Sequence, residues 1–136
     1  MKSRYEGIQN KLYHMSEGCF FLSLCSIAEE YRLEHGMTKV DLIDAVNMAF
    51  SEKLVTGDYT VLDDCEILSR LTGEKVTRRK SDTCGELKEN EYSIAKWLNA
   101  EKTANHFRRR YFDVYTNSRT VRYGTLVCYY IYTIGE

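Results

Sequence analysis

Cys19 follows Gly18 and opens an apolar run, Phe20-Phe21-Leu22-Ser23-Leu24-Cys25-Ser26-Ile27-Ala28. A cysteine in the first turn of a helix sits at the positive end of the helix dipole, which favours thiolate over thiol. Gly18 has no side chain, so a substrate backbone can approach the sulfur closely. Much later, Asn105-His106-Phe107 carries the one histidine of the strand-rich half, and Asp113 follows. An imidazole can take the proton that a thiol gives up, and an acid can orient that imidazole and stabilise its charged form. Together these residue types point to acyl transfer through a thiol.

The spacing of His106 and Asp113 sets a geometric condition. If the chain turns at Arg109-Arg110, Phe107 stands opposite Phe112 and His106 opposite Asp113, with Cβ atoms about 5 Å apart on one face. If it runs straight, the odd separation puts the two on opposite faces. A longer loop over residues 108–111 keeps the pairing at lower strain, because Arg-Arg is a poor two-residue hairpin turn. The backbone N–H of Cys19 is one oxyanion donor. Gln9, Asn10 and His14 are the side-chain candidates for a second, and His14 is also an alternative base. His35, near a helix C-terminus, is expected to be structural. In the plainer alternative, Cys19 is a small core residue and His106 and Asp113 are exposed strand residues.

The elements that must position these groups can be read from period and punctuation. A helix is predicted from Gly18 or Cys19 to about His35, stopped by Gly36. Thr38-Lys39-Val40-Asp41 resembles a capping box opening a second helix, with Val40, Ile43, Val46, Ala49 and Phe50 at helical spacing. Asp63-Asp64 caps a short third helix carrying Ile67, Leu68 and Leu71, closed by Gly73. Strands are then predicted over 74–79, 92–98 and 104–114, with a polar loop over 80–90. A hairpin joining 119–123 to 126–133 is expected across Gly124-Thr125. Helices precede strands, so the class is α+β: a helical N-terminal half packed on a C-terminal, mostly antiparallel sheet, in one domain over 1–136.

The chain has 136 residues, enough for one core. Its net charge of −1 gives no general attraction to nucleic acid or membrane, and no apolar stretch approaches the length of a membrane span. A polar N-terminus without a signal-peptide core and an odd count of five irregularly spaced cysteines suggest reduced thiols in a cytoplasmic protein. There is no CxxC pair, so no structural zinc is expected. With no proline, turns rest on Gly, Asn, Asp and Ser. Eleven tyrosines, many near the C-terminus, suggest a sheet with aromatic faces.

Several blocks together resemble a family. Gly18-Cys19-Phe20-Phe21-Leu22-Ser23-Leu24, Trp97-Leu98-Asn99, Asn105-His106-Phe107, and Asp113 followed by Asn117-Ser118-Arg119-Thr120-Val121-Arg122-Tyr123-Gly124 are similar to small phage and prophage proteins regarded as papain-like cysteine peptidase folds. The resemblance runs from about Gln9 to Tyr132. It implies a nucleophile at Cys19, a base at His106 and an acidic orienter at Asp113. The chain departs from the broader papain-like pattern in two places. Tyr13 stands where such enzymes carry a glutamine before the nucleophile, and the segment between His106 and Asp113 is short and basic.

The reading that follows is a cysteine peptidase or related thiol acyl-transfer enzyme acting on a peptide or isopeptide bond, with no metal and no organic cofactor. Its expected partner is a peptide or protein substrate. The alternative is a catalytically silent phage protein that binds and inhibits a host partner. A third reading, a winged-helix DNA binder using Arg78-Arg79-Lys80 and Arg108-Arg109-Arg110, is disfavoured by acidic residues at the start of its second helix and by the near-zero net charge. Arg108 to Arg110 are expected in a solvated turn.

Overall fold

The computed structural model describes residues 18–57, 60–102, 105–109 and 123–135. The apolar run forms helix α1, Gly18–Glu34, followed by Gly36 in the left-handed conformation at φ 73°. Cys19, Phe21, Leu22, Ser23, Leu24, Cys25, Ile27, Ala28 and Tyr31 are all buried, so α1 is enclosed on most sides. Arg32 ties its last turn to the elements that follow. Its Nε donates to the Thr38 carbonyl at 2.7 Å, and one terminal nitrogen donates to the Leu71 carbonyl at 2.9 Å.

Helix α2 spans Leu42–Ser51 and starts later than the predicted capping box. Asp41 is the N-cap, its carboxylate accepting from the Asp44 N–H at 3.0 Å, whereas the Thr38 hydroxyl accepts from Arg32. The buried face is Leu42, Ala45, Val46 and Ala49. Ile43 and Phe50 are 51% and 37% exposed, and Val40 is buried ahead of the helix. The buried stripe shares Val46 and Ala49 with the predicted face and replaces Ile43 and Phe50 by Leu42 and Ala45. Helix α3, Asp64–Thr72, is capped by Asp63 and closed by left-handed Gly73, as the sequence predicts.

Four antiparallel strands follow: β1 Val76–Ser81, β2 Glu91–Leu98, β3 Asn105–Arg109 and β4 Thr125–Ile134. Their order across the sheet is β1-β4-β2-β3. The class is therefore α+β with an antiparallel sheet. Tyr123 lies outside β4, and the rest of the expected 119–123 strand lies outside the described residues. β4 is interior, paired with β1 from Val76↔Ile134 to Ser81↔Tyr129 and with β2 from Glu91↔Thr133 to Leu98↔Thr125. A register shift after Lys96 skips Val127.

The helices cover one face of the sheet, where Tyr92, Ile94, Phe107, Tyr130, Tyr132 and Ile134 join the core. A polar knot fastens α3 to that face. Asp64 Oδ2 accepts from the Tyr132 hydroxyl and from Arg78, both at 2.7 Å, and Oδ1 accepts from the Cys65 N–H at 2.9 Å. Burial first, then the Asp64 carboxylate, keeps the Tyr132 hydroxyl protonated far above the usual phenol range. No helix among the described residues is long and apolar enough to cross a membrane.

Candidate functional site

Cys19 lies in the first turn of α1, as the sequence predicts, and is 3% exposed within the hydrophobic core cluster. The strand that bears His106 packs against the same helix. The Phe20 and Phe107 rings stack at 4.2 Å between centroids, and the Ser23 hydroxyl donates to the Phe107 carbonyl at 3.4 Å. Further along, Arg109 reaches back to α1. It donates to Ser26 Oγ at 3.2 Å and Glu30 Oε1 at 3.1 Å, and to the Ser93 carbonyl of β2 at 3.2 Å. These contacts bring β3 alongside the nucleophile candidate's helix.

They also fix which way each β3 side chain points. Side chains alternate between sheet faces. Phe107 and Arg109 meet α1, so His106 and Arg108 project from the opposite, outer face. The register agrees: Phe107 pairs with Lys96, whose Nζ lies 6.0 Å from the Phe107 ring centre, and His106 pairs with Trp97. His106 is 5% exposed. The structure thus brings the backbones of α1 and β3 together but directs the His106 ring away from the face on which Phe20 meets Phe107. Asp113, the partner expected across a hairpin, lies outside the described residues, as do Gln9, Asn10 and His14.

The basic clusters are positioned differently from expectation. Arg108 and Arg109 belong to a strand rather than a solvated turn, and Arg109 is 5% exposed because α1 and β2 supply acceptors for its guanidinium. Arg110 lies outside the described residues. Arg78 is held by Asp64 and lies 4.9 Å from the Tyr130 ring centre. β1 and β3 occupy opposite edges of the sheet, so the two clusters do not form one stripe.

Sequence reasoning missed a second feature, on the outer face. A groove of about 630 Å³ is lined by Asp82, Cys84, Ala95, Trp97, Arg108 and Tyr129 among others. The Cys84 thiol donates to the Ser93 hydroxyl at 3.5 Å. The alternation of β2, Ser93, Ala95 and Trp97 on one face against Tyr92, Ile94 and Lys96 on the other, is the signal that could have located it. All five cysteines are free thiols. Burial, and next the neighbouring Asp64 carboxylate, push the Cys65 thiol up to about 11.

Neither a family model, nor a curated protein, nor a solved structure matches this chain.

Proposed function

We propose that the protein is a papain-like thiol acyl-transfer enzyme, with Cys19 as nucleophile and a peptide or isopeptide carbonyl as electrophile. The supporting observation is the position of Cys19, behind Gly18 in the first turn of a buried helix that packs on an antiparallel sheet beside the His106 strand. In the reaction the thiol yields its proton to an imidazole and the sulfur adds to the carbonyl carbon. The carbon–nitrogen bond breaks, the leaving amine takes the proton back, and water or a second amine resolves the thioester. The Cys19 N–H at the helix start is one donor to the oxyanion. With His106 on the outer face, this reading requires either a shift of edge strand β3 that turns the ring towards Cys19, or His14 as the base.

The core position of Cys19 and the outer-face position of His106 favour a second reading, a papain-like scaffold that binds a host partner without turnover. One experiment separates the two. Iodoacetamide alkylation of Cys19 is followed by mass spectrometry against pH in wild type, His106→Ala and His14→Ala. Cys25, fully buried in the same helix, is the internal reference. The enzyme reading expects Cys19 to react much faster than Cys25 near neutral pH and to slow at least about tenfold when its base is removed. If Cys19 and Cys25 react alike, only as the fold opens, the nucleophile assignment fails and the scaffold reading stands.

A further inference from the structure

We propose that the peptide recognised beside Cys19 is acidic, its carboxylates held by Lys80 and Lys96. The inference rests on the thiol acyl-transfer reading of that site and adds the substrate class. Lys96 is unusual by position. It stands on the inner, helix-covered face of the interior strand β2, between Cys128 of β4 and Phe107 of β3, and is half-buried. Lys80 of β1 stands on the same face, paired with Tyr130, and is exposed. The Lys96 Nζ lies 6.0 Å from the Phe107 ring centre, and the Lys80 Nζ lies 5.8 Å from that of Tyr130. Those two rings are 6.1 Å apart, and the Phe20 ring of α1 stacks on the first and lies 5.9 Å from the second. The lysines therefore flank the end of the helix–sheet seam where α1 begins, next to Cys19.

Neither ammonium is neutralised within the protein. Among the described residues, neither lysine makes a hydrogen bond or an ion pair; each has only its ring contact, which leaves the three N–H donors available. The acids that reach this face are engaged by other groups. Asp64 accepts from Arg78 and Tyr132, and Glu30 accepts from Arg109. The first turn of α1 contains no acidic residue. Two cations thus stand at one end of the seam without a counter-charge, and an anion bound there offsets their repulsion. Each lysine stem lies along an aromatic ring and carries its head to the rim, so a carboxylate displaces no internal partner. An extended peptide places alternate side chains about 7 Å apart on one side, a spacing suited to ammonium groups on neighbouring rings. Phe107 and Tyr130 are 7% and 8% exposed, too little for nucleobases to stack on, which favours a peptide over a single-stranded nucleic acid.

The test is an NMR titration of the isotope-labelled full chain with a blocked peptide of alternating glycine and glutamate, and with its glutamine counterpart. Saturable shifts with the glutamate peptide, and binding about tenfold weaker with the glutamine peptide, are the expected result. Lys80→Gln and Lys96→Gln should each weaken the glutamate peptide about threefold and together about tenfold, to the level of the glutamine peptide. Lys96→Arg should restore the wild-type affinity, and Lys53→Gln, just past α2, should change nothing. No saturable shift, equal binding of the two peptides, or wild-type binding by the double variant overturns the proposal. Tighter binding of oligothymidylate than of the glutamate peptide also overturns it and assigns the face to nucleic acid. The two readings fail separately. Acid-selective binding beside a Cys19 that alkylates no faster than Cys25 supports the acidic partner and refutes the nucleophile. A reactive Cys19 with no preference for glutamate refutes the acidic substrate alone. The wild-type comparison of the two peptides decides the matter even if a variant fails to fold.

Discussion

Replacing Arg109 tests whether one buried guanidinium holds the helical layer to the sheet. The side chain bridges Ser26 and Glu30 of α1 to the Ser93 carbonyl of β2, and its guanidinium lies 5.9 Å from the Tyr92 ring centre. In Arg109→Ala the buried stem is lost, worth about 2 kcal/mol at the usual value per methylene. The Ser93 carbonyl loses a charged donor, costing about 1.5–3 kcal/mol. The Glu30 contribution is under about 1 kcal/mol, because its side chain is 40% exposed and returns to water. The expected total is about 4–6 kcal/mol, a large fraction of a typical domain's stability. Arg109→Met keeps the stem and should cost about 2–4 kcal/mol; Arg109→Lys keeps the charge and should cost about 1–2 kcal/mol. Urea denaturation followed by circular dichroism and by Trp97 fluorescence measures all three. If Arg109→Ala falls within about 1 kcal/mol of wild type, or Arg109→Met costs as much as Arg109→Ala, the bridging argument is refuted.

Three more outcomes are expected. Tyr132→Phe should cost about 1–2 kcal/mol and Asp64→Ala about 3 kcal/mol, and a double-mutant cycle should return about 1–2 kcal/mol of coupling, since the hydroxyl donates to that carboxylate. Alkylation of Cys65 should keep accelerating up to about pH 11, whereas an ordinary thiol levels off near its reference pKa of about 8.5. The folded-state value is raised, so the stability linked to Cys65 is fully present below about pH 8.5 and is lost as the pH rises through about 11; Asp64→Asn should move both profiles down. The Glu91 carboxyl is held below its usual range, first by the Lys88 backbone N–H and then by Arg79, against the opposing effect of burial. Its contribution is therefore present above the unfolded value of about 4.3 and lost in acid, so Glu91→Gln should destabilise at pH 7 with a deficit that narrows as the pH falls below that value.

Local chemistry made much of the fold legible. Gly36, Asp63 and Gly73 punctuate the helices where the sequence predicts, and β2 runs nearly as its alternation indicates. Where two polar residues competed for a cap, reading failed: Thr38 and Asp41 both suit an N-cap, and Arg32, brought close by the α1–α2 connection, engages the first. Arg109 shows why the basic run was misjudged. Its burial depends on acceptors from α1 and β2, distant in sequence and adjacent only after folding. The candidate site divides in the same way. A cysteine at a helix start is a local fact, and Cys19 lies there. The face on which His106 lies depends on strand parity, which is fixed by Phe107 stacking on Phe20 and by the Trp97 register, both non-local.

The strand order has a consequence for how the chain acquires its structure. β4 comes last in sequence among the described strands yet lies between β1 and β2, which do not pair with each other in the sheet. Until residues 125–134 are available, β1 has no partner in the sheet and β2 has only the short β3. During synthesis β1 and the inner edge of β2 therefore wait for residues 125–134 before their ladders can form. Long-range closure of this kind is slow. It exposes apolar surface and open strand edges in the interim, the condition under which chains aggregate or engage chaperones. A chain shortened before Thr125 should lose the whole sheet rather than one strand of it.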